Sequence, residues 1–283
     1  MQVFADGDIE ANSGKGAGDE NFPVGSRLVA PQLRPHFLAY YAFARATDDI
    51  ADAPCLAPEE KIRRLDAFEA VLEGRARGLS KAEALAASLA ATGISTVRAT
   101  DLLVAFRADA TKTRYRSLAE LLAYCRHSAA PVGRFLLDLH REDPALYPAS
   151  DALCTALQIL NHLQDMGEDL ARLDRAYVPL DWLEAEGETV GALAARRVSP
   201  GLRRVMDRLL DEVDRLLDTA DGLVALSTRS LAGEAAAIRA LARRLAARLR
   251  REDPLATRVQ LSRADFAAAL GRGLVASLLR RAA

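Results

Sequence analysis

Two stretches of this chain group polar side chains at the spacing of a helix turn. In Tyr40-Tyr41-Ala42-Phe43-Ala44-Arg45-Ala46-Thr47-Asp48-Asp49-Ile50-Ala51-Asp52, Asp48 and Asp52 stand four residues apart. That spacing puts both carboxylates on one face, continued toward the N-terminus by Arg45 and Tyr41, while Asp49 points elsewhere. Like charges one turn apart repel, and a divalent cation would compensate them, since hard carboxylate oxygens suit Mg²⁺. An exposed acidic helix end is the alternative.

The second stretch runs Gln158-Ile159-Leu160-Asn161-His162-Leu163-Gln164-Asp165-Met166-Gly167-Glu168-Asp169. Asn161, Asp165 and Asp169 form a stripe three levels long, extended by Gln158. The almost wholly apolar residues from Ala152 to Leu160 indicate that the stripe starts in a buried helix, where unpaired polar groups are costly. Facing each other across a cavity, the two stripes would hold Mg²⁺ ions that bridge a diphosphate and let a carbon–oxygen bond ionise. Two unrelated acidic surfaces remain the other reading. His162 would donate to a phosphate, position water or simply fill the core.

The elements that must position these groups are helices. Half of the 283 residues are hydrophobic, aromatics are only 5%, and alanine and leucine dominate, a composition that favours helix over sheet. Helical spacing marks residues 35–53, 58–76, 80–92, 95–110, 117–140, 150–171, 199–226, 230–251 and 263–282. Ser117 with Glu120 and Ser262 with Asp265 have capping-box spacing, and Ser199-Pro200 sets a cap before a proline at the first helical position. Pro131 falls inside a helical pattern and should kink or break it. Residues 1–20 lack hydrophobic pattern and read as a disordered tail; residues 21–283 read as one all-α domain.

Formal net charge is −1, without the basic footprint of a nucleic-acid binder. Cys55, Cys125 and Cys154 form no CxxC pair, which fits a reducing cytoplasm and three small buried hydrophobes. No signal-peptide pattern or membrane-length apolar run is present, so a cytoplasmic location is expected. The stretch from Asp265 to Leu279, with Arg272, Arg280 and Arg281, reads either as a packed core helix or as an amphipathic helix lying on a membrane.

The ordered motifs resemble those of the squalene/phytoene synthase family. DDIAD at 48–52 and NHLQDMGED at 161–169 are similar to its paired aspartate motifs. Gly25-Ser26-Arg27 resembles its N-terminal diphosphate-contacting segment. Tyr124-Cys125-Arg126-His127-Ser128-Ala129-Ala130-Pro131-Val132-Gly133 resembles its YC-x-x-x-A-x-x-VG segment, and Arg175-Ala176-Tyr177-Val178-Pro179 its R-x-Y-x-P segment. The resemblance covers residues from about 21 to 180. It implies an isoprenoid-synthase-type bundle of antiparallel helices around a largely apolar central cavity. It also implies metal ligands at Asp48, Asp52, Asn161, Asp165 and Asp169, for Mg²⁺ with Mn²⁺ as an alternative. Substrate contacts would come from Ser26, Arg27, Arg45, Gln158 and Arg175, and catalytic tyrosine faces from Tyr41, Tyr124 and Tyr177.

Three departures from the usual wording sharpen the resemblance: Asn161-His162-Leu163-Gln164-Asp165 for N-I-L-R-D, Ser128-Ala129-Ala130-Pro131-Val132-Gly133-Arg134 for A-G-x-VG or A-S-x-VG, and the opening Asn21-Phe22-Pro23-Val24-Gly25-Ser26-Arg27-Leu28. They are similar to the family's hopanoid-pathway C-type branch. That implies presqualene diphosphate as substrate, hydroxysqualene and diphosphate as products, water in place of NADPH hydride, and peripheral membrane contact or hand-off to a following pathway enzyme. Gln164 in place of arginine suits a site that handles one diphosphate. The alternatives are sibling enzymes that condense two prenyl diphosphates to presqualene diphosphate, squalene or phytoene, or a non-catalytic helical relative serving in assembly.

Overall fold

A computed structural model describes residues 2–10 and 30–279. Among these the chain is all-α; its only sheet is one parallel pair of two-residue strands, β1 (Gln2–Val3) and β2 (Ala76–Arg77). The chain divides into two compact units.

The first unit comprises the chain up to Lys112 together with Arg134–Arg141. It holds α1 (Asp6–Ile9), α2 (Arg34–Ala51), α3 (Pro58–Leu72), α4 (Ser80–Thr92) and α5 (Val97–Thr111). Phe37, Tyr40, Phe43, Ala46, Thr47 and Ile50 recur at helical spacing and bury one face of α2, which packs against α3, α4 and α5. Phe43 meets Phe68 edge to face at 5.7 Å. Tyr40 stacks on Phe135 at 4.1 Å and donates its hydroxyl to the carbonyl of Arg98.

Residues 2–10, which composition placed in a disordered tail, are ordered within this unit. The reason is a small set of tertiary contacts: Ile9 is buried, Phe4 N–H donates to the carbonyl of Arg77, and the Arg64 guanidinium donates to the carbonyl of Ile9. The rest of the expected tail, residues 11–20, lies outside the described residues.

The second unit comprises Thr113–Gly133 and Glu142–Ala283. It holds α6 (Leu118–Ser128), the start of α7 (Ala130–Leu139), α8 (Tyr147–Leu173), α9 (Leu180–Ala185), α10 (Pro200–Thr219), α11 (Arg229–Leu249) and α12 (Arg263–Leu279). The 27-residue α8 is the axis, packing against α6, α10 and α11. The expected caps are present: Ser117 and Ser199 accept from the N–H groups of Glu120 and Leu202, and Ser262 and Asp265 exchange reciprocal bonds. The helix expected over 117–140 is interrupted at Ala129, one residue into the Ala-Ala-Pro step, so Pro131 opens α7 instead of sitting in a continuous helix. The pattern missed α9, a single short helix whose six residues are too few to show a period.

α12 crosses α11 at two glycines. A Cβ on Gly273 would lie 2.5 Å from the carbonyl oxygen of Gly233, and one on Gly233 would lie 2.8 Å from that of Gly273. With one face so committed, α12 leaves Leu270, Leu274, Val275 and Leu278 exposed. Among the described residues no helix is long and apolar enough to cross a membrane.

Candidate active site

In the first unit the expected stripe is present on α2 and its C-terminal cap residue, Asp52: Tyr41, Arg45, Asp48 and Asp52 are all half-buried, on the margin of the apolar face. Asp49 is buried. Its carboxylate accepts from Arg45 at 2.6 Å, and Arg45 also reaches Asp48 at 3.2 Å. The arginine expected to face a phosphate is thus engaged by two carboxylates of its own helix. Asp48 remains short of compensation. The protein packed around it, then the Asp52 carboxylate, push its pKa well above the ordinary value against the pull of Arg45, with Asp109 adding to the rise. Asp109 is a buried carboxylate of α5 that sequence reasoning missed, because its proximity to Asp48 is tertiary.

In the second unit α8 carries Gln158, Asn161, His162, Asp165 and Asp169, all half-buried beside the buried apolar residues of the helix. α8 ends at Asp174, which adopts the left-handed conformation (φ 51°). The turn reverses the chain so that Ala176 N–H bonds the carbonyl of Thr113, and Leu180 and Asp181 bond those of Tyr115 and Arg116. This backbone pairing lays Tyr177 beside Tyr115.

The result is an aromatic cluster. Tyr115, Tyr124 and Tyr177 have mutual ring-centroid distances of 5.3 to 5.5 Å, and His162 stacks on Tyr177 at 3.5 Å with planes 12° apart. Burial first, and the Arg175 guanidinium second, drive the His162 pKa down to about 3, so the imidazole is neutral at physiological pH. Its Nε2 lies 3.2 Å from the Gln158 amide nitrogen. Arg175 is itself buried. The expected pair Tyr124 and Tyr177 therefore belongs to one cluster, whereas Tyr41 belongs to the α2 stripe. Tyr115, in a short link between helices, was missed because a lone aromatic there carries no periodic signal.

A cleft of about 510 Å³ borders the α8 stripe, lined by residues that include Asp165, Glu168, Leu193, Leu255 and Arg258. Arg258 pairs with Asp165 at 3.1 Å; in a chain this rich in arginine nothing singled it out. Gln164 is buried and donates at 2.6 Å to the carbonyl of Val259. Ser26 and Arg27 lie outside the described residues.

Among the described residues no three His, Cys, Asp or Glu side chains converge into a cage that would hold an ion unaided. The donor set suits a cation shared with a ligand instead. Mg²⁺ is commonly held by one or two carboxylates together with phosphate oxygens, and each unit offers half-buried carboxylates of that kind.

The all-α fold, with its carboxylate-bearing helices, is that of the isoprenoid synthases, as the likeness to solved structures shows. The squalene/phytoene synthase family model matches residues 16–265, and the chain belongs to that family of enzymes. It is 42% identical to the hydroxysqualene synthase of Rhodopseudomonas palustris over 96% of this chain and 94% of that one. A crystal structure of a squalene synthase from Alicyclobacillus acidocaldarius superposes with a TM-score of 0.71 at 34% identity, covering 81% of this chain and 87% of that one. A dehydrosqualene synthase structure at 21% identity shares the fold, with a TM-score of 0.78 and 93% of each chain covered.

Proposed function

We propose that this enzyme converts presqualene diphosphate and water to hydroxysqualene and diphosphate in hopanoid and squalene biosynthesis, with Mg²⁺, or Mn²⁺ in its place, and without NADPH. The observation that carries the reading is the aromatic cluster of Tyr115, Tyr124, Tyr177 and neutral His162, joined through His162 to the helix that bears the Asn161–Asp165–Asp169 stripe. One part suits a carbocation and the other a metal-bound diphosphate.

Asp48 and Asp52 of the α2 stripe, and Asn161, Asp165 and Asp169 on α8, would hold metal ions, which when bound offset the negative charge that builds on the leaving diphosphate. Arg45, Arg175 and Gln158, with Ser26 and Arg27, would bind its oxygens. The carbon–oxygen bond breaks with its electron pair going to diphosphate, leaving a cyclopropylcarbinyl cation. Ring faces of Tyr124 and Tyr177, with Tyr41, stabilise positive charge through their quadrupole and exclude bulk water until rearrangement is complete. One water oxygen then bonds to the cation and releases a proton. His162, with a pKa near 3, is too weak a base to keep it, so the proton passes to solvent or diphosphate.

Peripheral contact with a membrane, or hand-off to a following enzyme, suits so apolar a product. The exposed Leu270, Leu274, Val275 and Leu278 of α12, with no acidic residue after Asp265 and arginines at 272, 280 and 281, favour an anionic lipid surface.

Purified protein incubated with Mg²⁺ and either farnesyl diphosphate or presqualene diphosphate, without NADPH, tests the reading by mass spectrometry. Hydroxysqualene from presqualene diphosphate is expected. Formation of presqualene diphosphate from farnesyl diphosphate would overturn it in favour of a sibling activity.

A further inference from the structure

The segment from Asp253 to Leu261 joins α11 to α12 and forms a strap along the cleft beside α8. One end is fixed by Asp253, whose carboxylate accepts from the N–H groups of Leu255, Ala256 and Val198. Further along, two consecutive strap residues meet two consecutive residues of α8. Val259, 1% exposed, receives the side-chain amide of Gln164, 4% exposed, at 2.6 Å. Its neighbour Arg258 pairs with Asp165 at 3.1 Å.

The two contacts differ in kind. The Gln164 bond is neutral and buried, so leaving the Val259 carbonyl without a partner would be costly. The Arg258 pair is partly open to solvent, with side chains 45% and 26% exposed, so it forms and breaks readily. A slip of one residue moves the strap by about 3.5 Å, enough to carry Arg258 out of ion-pair range. A glutamine suits position 164, because an arginine enclosed there would need a counter-charge of its own.

We infer that Gln164 is a positioning residue: by clamping Val259 it seats Arg258 on Asp165, so that Arg258 and a divalent cation contend for the same carboxylate. The inference rests on the reading of Asp165 as a metal ligand. Without metal, Arg258 neutralises Asp165; when a cation binds, Arg258 is released at the cleft wall while the clamp keeps it near.

The experiment measures Mn²⁺ retained by the protein in equilibrium dialysis, with inorganic diphosphate on both sides of the membrane, in the wild type and in R258Q, R258K, Q164M, D165N and the Q164M/R258Q double variant. Amide hydrogen exchange over residues 254–261 is followed in parallel. R258Q should tighten Mn²⁺ binding about two- to fivefold, the range expected for a partly exposed ion pair, and R258K should stay near wild type. Q164M should shift affinity the same way and raise exchange along the strap. The double variant should bind no more tightly than R258Q, because both substitutions remove one device. Additive effects, or a Q164M affinity equal to wild type, would overturn the coupling; Q164L repeats the test should Q164M fail to fold. Mn²⁺ binding by D165N equal to wild type, or no binding by wild type, would instead remove Asp165 as a metal ligand and the inference with it. In that case the exchange data would still report whether Gln164 holds the strap.

Discussion

The crossing of α11 and α12 makes a prediction whose sign changes within three residues. Gly271 and Gly273 both lie inside α12, where replacing glycine by alanine restores about 1 kcal/mol of helix propensity. A Cβ on Gly271 meets nothing within 4 Å, so G271A should keep most of that gain. A Cβ on Gly273 would stand 2.5 Å from the Gly233 carbonyl oxygen and 3.2 Å from the Ala237 Cβ. Because the obstacle at 2.5 Å is backbone, the helices must separate by several tenths of an ångström, and overpacking of this kind costs about 1–3 kcal/mol. After the propensity gain, G273A should be destabilised by up to about 2 kcal/mol. For a chain of this size that lowers Tm by up to roughly 6 °C, while G271A raises it by about 1–3 °C. Scanning calorimetry of both variants beside the wild type measures the difference. G273A melting at or above G271A would refute the close crossing.

Other expectations concern the site and the surface. D48N and D165N should each lose at least about a hundredfold in turnover, since even outer-shell partners of metal sites contribute 10–100-fold; product assays check this, with circular dichroism confirming an intact fold. His162 should stay neutral from pH 5 to 8, and its ring proton resonances should not titrate there. An unfolded histidine binds a proton below about pH 6.5 while the folded one waits until about 3. Stability should therefore fall as pH drops through that window, by up to about 1.4 kcal/mol per unit, and H162Q should flatten the slope. Wild-type protein should sediment with phosphatidylglycerol vesicles and not with neutral phosphatidylcholine vesicles, and L274E should weaken that binding about tenfold. Equal binding to both lipids would count against the charge argument.

The helices and both acidic stripes were legible because they are periodic: Asp48 and Asp52, or Asn161, Asp165 and Asp169, share a face by arithmetic alone. The serine caps and the break at Pro131 were legible because their chemistry is local. Tyr115, Asp109 and Arg258 were not. Tyr115 reaches Tyr177 through backbone pairing of segments some sixty residues apart, and Arg258 reaches Asp165 across 93 residues. Gln164 marks a boundary between the two kinds of knowledge. Its departure from the usual motif was visible, and the expectation concerned the charge it lacks, but its amide is engaged with Val259 at a distance no spacing rule supplies. Residues 2–10 err the other way, since a weak pattern gave no hint of the contact that holds Ile9.

The three thiols divide sharply in reactivity. Cys55 is exposed, while Cys125 is buried and Cys154 half-buried, and desolvation pushes the last two up to about 12. Alkylation proceeds through the thiolate, so a maleimide dye offered at neutral pH would go to Cys55 alone. That position lies three residues beyond Asp52. The native chain thus carries a single addressable handle beside its first acidic stripe, from which the arrival of a cation or a diphosphate could be read optically without engineering a cysteine.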